Sequence, residues 1–200
     1  TYDPKRVSVT VVDNGSPKET VQVITDHRHK IDNLVLLNKN MGKPYALNLG
    51  VSIVNETDVV MEHTSPKYYL FCDNDLSFKT GWIDVMLSTY EEHEEGMNLC
   101  ALSGVRWPRH QLCLKQGATR QINEYRFPPG CCLLMSADSH DKVGKWDTKK
   151  LIMCVDTNYL RRATHLGYKH GSVHPDSVID HTGKAARSWS IKNGVPILHP

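Results

Sequence analysis

Asp73 and Asp75 stand one residue apart, directly after the apolar stretch Tyr68-Tyr69-Leu70-Phe71-Cys72. Two carboxylates at the end of a strand offer the oxygen ligands that a hard divalent cation such as Mn2+ or Mg2+ requires. The pair alone has little specificity. With 14 Asp in 200 residues, chance supplies about one Asp-x-Asp, and an Asx turn capping the next helix explains it as well. Two further groups add weight. Asp13-Asn14-Gly15-Ser16 also closes a strand, and Gly42-Lys43-x-x-Ala46-Leu47-Asn48-x-Gly50 opens a helix. Backbone amides at that helix start, with Lys43, can meet phosphate oxygens. Each group also reads as an ordinary turn or helix start.

Alternating strands and helices position these residues. Val7 to Val12 is rich in β-branched residues and ends in the turn formers Asp13 to Pro17, the pattern of a strand and loop. A helix is expected over Glu19 to Lys30, a buried strand over Leu34 to Leu37, and a second helix over Lys43 to Val54. Strands are expected at Tyr68 to Cys72 and Leu99 to Val105, with a helix over Trp82 to Glu92 between them. Arg106 to Pro129 lacks a clear period and reads as an irregular excursion or ribbon. Cys131 to Ser136 reads as strand, Ala137 to Val143 and Asp156 to Leu166 as helices, and Val173 to Asp180 as a last extended piece. The tail from Ala185 has little pattern. The order is that of an α/β sheet, in which loops at strand carboxyl ends gather functional groups. Asp13, Asn40 and Asp73 all fall at such ends.

Composition narrows the function. The chain carries 24 basic and 22 acidic residues for a net charge of +2, without the basic stripe of a nucleic-acid binder. Its longest apolar runs, Leu34 to Leu37 and Cys131 to Met135, are far short of the roughly 20 residues of a spanning helix. No signal peptide is visible, and a cytoplasmic chain is expected. The 6 Cys include no Cys-x-x-Cys pair, so they read as reduced thiols in or near the core rather than a zinc site or a set of staples.

In order, strand, Asp-Gly-Ser loop, strand, Asn-x-Gly-x-x-x-Ala-x-Asn, strand and Asp-x-Asp, the first half resembles the nucleotide-sugar half of a family 2 glycosyltransferase of the GT-A type. The second half resembles the same family independently. Pro129-Gly130-Cys131-Cys132-Leu133-Leu134-Met135-Ser136, then Val143-Gly144-Lys145-Trp146-Asp147, is similar to its acceptor-side segment. Val155-Asp156-Thr157-Asn158-Tyr159-Leu160-Arg161-Arg162 with Gly167-Tyr168 is similar to its Glu-Asp-x-x-Leu-x-x-Arg segment, and Asp180-His181-x-Gly183 to its late His. The likeness runs from about Val7 to Ser188.

The resemblance implies a single GT-A domain with a mixed, mainly parallel sheet flanked by helices, residues 1–105 forming the nucleotide-sugar half and 106–200 the acceptor and catalytic half. It implies transfer of a sugar from a nucleoside-diphosphate sugar to a glycan or other hydroxyl acceptor, with inversion. Asp75, Asp73 nearer the ribose, and His181 would hold Mn2+ or Mg2+. Asp13 and Lys43 would meet the base or diphosphate. Asp156 would be the general base, although an Asp there is also a favoured helix N-cap. Gly130, Trp146 and Asp147 would line the acceptor, Trp146 being equally suited to the core. Two departures stand out. Val155 replaces the family's usual Glu, and Thr1-Tyr2 resembles the end of the family's first helix, so a βα unit on the order of 30 residues is expected upstream. A sugar-phosphate nucleotidyltransferase and a non-catalytic nucleotide- or glycan-binding relative are the alternatives.

Overall fold

The computed structural model describes residues 7–60, 65–105, 111–113, 118–149, 154–174 and 178–181. The expectations for Thr1-Tyr2, for parts of the excursion after Arg106, for Gly183 and for the tail lie outside these residues. The chain divides into two compact units, Thr1–Tyr69 with Ser136–Gly167 and Leu70–Met135 with Tyr168–Pro200. Neither is contiguous in sequence.

In the first unit, β1 (Thr10–Asp13) and β2 (Asn33–Leu36) pair in parallel, Asp13 opposite Leu36. The crossover between them is α1 (Lys18–Asp26) and a 3-10 turn, Arg28–Lys30. α2 (Lys43–Val60) packs on β1 and runs past the expected end at Val54. α4 (Ala137–Val143) is capped by Ser136, whose hydroxyl accepts from the Ser139 amide, one of the four helix-start donors that need an outside partner. α5 (Val155–His165) buries Val155, Tyr159, Leu160 and Ala163, a stripe at helical spacing.

Six strands form one sheet in the order β3 (Tyr68–Cys72), β8 (Cys132–Ser136), β5 (Leu99–Ser103), β9 (Lys169–Val173), β7 (Ile122–Tyr125) and β6 (Gln111–Cys113). β5 and β9 run parallel, while β8 lies antiparallel beside β5 and the β6–β7 ribbon antiparallel beside β9. Every residue of β5 and β8 is buried, as expected of strands covered on both faces. α3 (Trp82–Met97) packs on β5 through Met86 and Tyr90. The Tyr90 hydroxyl lies 2.8 Å from the Leu99 carbonyl and 3.1 Å from that of Cys100. The mixed α/β architecture expected from the strand and helix order is present.

One element differs from expectation. The pattern predicts a last extended piece over Val173 to Asp180, but the central strand β9 begins at Lys169 and a separate β10 covers Ile179–His181. Lys169-His170-Gly171-Ser172 has no apolar alternation to announce a strand. Ladders on both sides hold it, and a Cβ at Gly171 would sit 2.9 Å from Ile122 Cδ1 and 3.0 Å from the Asn123 carbonyl. Such close approach selects glycine. β10 pairs antiparallel with β4 (Leu76–Phe78), a strand that the sequence did not announce.

Candidate functional site

In the first unit, the loops after β1 and β2 are fastened to each other. One Asp13 carboxylate oxygen accepts from the amides of Gly15 (3.2 Å) and Ser16 (3.1 Å), so this 5% exposed residue shapes its own turn. Gly15 has φ +81°, and a Cβ there would lie 2.5 Å from the Lys39 carbonyl carbon. Asn14 donates to the Asn40 side chain at 3.0 Å and accepts from the Met41 amide at 2.8 Å, and Asn40 accepts from the Gly42 amide at 2.8 Å. This fixes the entry to α2, whose first residue is Lys43.

Lys43 reaches α5. Its ammonium lies 3.4 Å from Asp156 Oδ1 and 3.5 Å from Oδ2, with both side chains about a quarter exposed. Asp156 is not the N-cap. That place belongs to Cys154, held at φ +59° without a side-chain cap. The chain turns into α5 on a left-handed residue, rare outside glycine, and carries Asp156 into the first turn with its carboxylate turned to the lysine. Val155, where the family places a glutamate, is buried at 4% exposure and packs as core.

Trp146 is 2% exposed. Its ring stacks on Tyr159 with centroids 4.1 Å apart, and its backbone amide and carbonyl are bracketed by the Asn48 side chain at 2.9 Å each. The ring is therefore packed into the core against Tyr159. Asp147 accepts from the Lys149 amide at 3.0 Å in the turn that follows. Arg162 donates to the carbonyls of Val143 (2.8 Å) and Lys145 (2.7 Å), tying α5 to the end of α4. Asn48 and Arg162 were legible only as letters of a motif; their bracing roles were not.

In the second unit, Asp73 and Asp75 lie in the short connection from β3 to β4, both half-buried. The Asp73 amide donates to the Cys131 carbonyl at 2.8 Å, which holds the start of that connection against the turn carrying Gly130. The β4–β10 register sets His181 opposite Leu76, the residue after Asp75. Two carboxylates and an imidazole-bearing residue thus share one ribbon end, a donor set that fits a hard or borderline divalent cation. Of His181 only the backbone is described, and among the described residues no three His, Cys, Asp or Glu side chains form a closed metal cluster. None of the described helices is long and apolar enough to cross a membrane.

A family model described as glycosyl transferase family 2 matches residues 2–164. Solved structures are also similar. TarS of S. aureus, residues 1-349, superposes with a TM-score of 0.61 at 14% identity, over 89% of this chain and 52% of that one. Mannosyltransferase PcManGT from Pyrobaculum calidifontis, in complex with GDP-Man and Mn2+, gives 0.60 at 16% identity over 96% and 53%. GalNAc-T7 with UDP, GalNAc and Mn2+ gives 0.59 at 10% identity over 83% and 36%. At these identities the likeness is one of fold, and the chain spans about half the length of the first two. No curated protein matches the sequence.

Proposed function

The chain belongs to glycosyl transferase family 2, and from that premise we propose that it moves a sugar from a nucleoside-diphosphate sugar to an acceptor hydroxyl, with inversion at the anomeric carbon. The observation that carries this reading is the Lys43–Asp156 pair, which joins a residue of the donor-side helix to the candidate base. Asp156 takes the proton of the acceptor hydroxyl while that oxygen bonds to the anomeric carbon and the bond to the departing phosphate oxygen breaks. Lys43 holds the carboxylate in position. Asp13 accepts a hydrogen bond from the nucleobase. Asp147 and the Gly130 turn meet the acceptor, and Trp146 supports that segment from within the core.

Asp73, Asp75 and His181 would hold a divalent cation, Mn2+ being favoured over Mg2+ by the imidazole. Such an ion supplies charge neutralisation for the leaving diphosphate. The structures of PcManGT and GalNAc-T7, solved with Mn2+ and with GDP-Man or UDP, support the ligand class for this fold.

Incubation with nucleotide sugars and Mn2+, followed by analysis of the nucleotide released, tests the reading. Free nucleoside diphosphate, lost in Asp156→Asn, is the expected product. Pyrophosphate would replace the reading with nucleotidyl transfer. Tight nucleotide binding without turnover of any donor would replace it with the binding-only alternative, which the apolar Val155 favours.

A further inference from the structure

We propose that Cys72 and Cys132 are a redox-sensitive pair that closes to a cross-strand disulfide on exposure to a peroxide. Their sulfurs lie 3.6 Å apart on the neighbouring strands β3 and β8. The next pair outward, Asp73 and Cys131, is joined by an amide-to-carbonyl hydrogen bond of 2.8 Å. The Ala137 amide donates to the Lys67 carbonyl at the other end of the two strands, and the antiparallel register these two bonds define makes 72 and 132 a directly opposed pair without hydrogen bonds of its own. The Cα atoms of such a pair stand about 4.5 Å apart, inside the window of about 4.4–6.8 Å that a disulfide spans. The bond therefore needs the two sulfurs to approach and the backbone to move little.

Exposure divides the roles. Cys72 is exposed and Cys132 fully buried, so oxidant reaches Cys72 first. The Cys72 sulfur attacks hydrogen peroxide, the O–O bond breaks, and a sulfenic acid and one water result. The Cys132 sulfur then displaces the sulfenic oxygen as a second water, and the S–S bond forms. Two electrons leave the thiols and reduce one peroxide, and both thiol protons end in water. Burial keeps Cys132 from oxidant but not from its partner.

Three other thiols among the described side chains are placed differently. Cys131 is adjacent to Cys132, in the turn that precedes β8. Cys100 is buried on β5, where the register pairs Leu102 with Leu134 and so sets Cys100 several residues along the ladder from Cys132. Cys154 is exposed, at the turn that opens α5. Closure would fasten β3 to β8 one residue before Asp73.

Treating the full chain with stoichiometric hydrogen peroxide, alkylating, digesting and mapping peptides by mass spectrometry reads this directly. The expected result is a Cys72–Cys132 linked peptide, two hydrogens lighter than the reduced pair and restored by dithiothreitol. Cys72→Ser, at an exposed position, should abolish it and leave Cys132 alkylatable after unfolding. Oxidation of Cys72 to sulfinic or sulfonic acid with Cys132 still a thiol, or pairing of Cys72 with Cys131 or Cys154, would overturn the proposal. The readout is a mass in the wild-type protein, so it stands or falls separately from the transfer reaction.

Discussion

The Lys43 ammonium lies 3.4 Å from the Asp156 carboxylate, although the two residues are 113 positions apart in the chain. The pair is partly solvated, so its contribution to stability is at most about 1 kcal/mol. Its value lies in orienting the proposed base. Lys43→Met should leave the melting temperature within a few degrees of wild type and lower kcat by about tenfold or more, equivalent to about 1.4 kcal/mol of barrier. Lys43→Arg should recover part of the loss. An unchanged kcat in Lys43→Met would detach the lysine from the reaction.

Trp146 should behave as core. Trp146→Ala removes a buried ring stacked on Tyr159 and is expected to cost about 3–5 kcal/mol in denaturant unfolding. Trp146→Phe keeps an aromatic face toward Tyr159 and should leave the acceptor KM unchanged. A large rise in that KM with intact stability would return Trp146 to the role of sugar platform.

Gly15→Ala meets two penalties at once, a positive φ and a collision with the Lys39 backbone. A destabilisation of about 1–3 kcal/mol is expected. Because the same loop is zipped to Asn40 ahead of Lys43, binding of nucleoside diphosphates, followed by calorimetry, should weaken as well.

His140 makes the protein acid-sensitive. Burial lowers its pKa below the usual histidine value, the nearby Asp141 carboxylate opposes this, and Arg162 adds to it. The folded chain therefore holds the imidazole neutral, and the unfolded chain takes up the proton first as pH falls through about 6.5. The stability this preserves is fully present above that pH and is lost below it, by at most about 1.4 kcal/mol per pH unit. Melting curves between about pH 7.5 and 5.5 should fall more steeply for wild type than for His140→Gln. Equal slopes would assign the acid sensitivity elsewhere.

Local pattern carried much of the fold. β3 and α4 fall at the bounds that apolar runs and cap signals imply, because a buried strand and a capped helix write their needs into neighbouring residues. β9 was illegible for the opposite reason. Its Lys-His-Gly-Ser stretch is a strand only because β5 and β7 supply ladders on both sides, and that demand is met by residues more than 40 positions away. The same limit applies to Trp146. An aromatic residue before an Asp suits a ligand platform or a core, and only the facing Tyr159 and the bracing Asn48 decide between them.

Which residue types are available for chemistry, and in what order, is written along the chain, since the two carboxylates after β3, the glycine before Lys43 and the late histidine are properties of spacing. Which of them meet depends on the folded chain. Lys43 pairs with Asp156 because two fastened loops set the start of α2 and a left-handed Cys154 sets the start of α5. Cys72 faces Cys132 because the register between β3 and β8 opposes them. Register, loop closure and helix entry are cooperative outcomes of packing, and no local stretch of residues contains them.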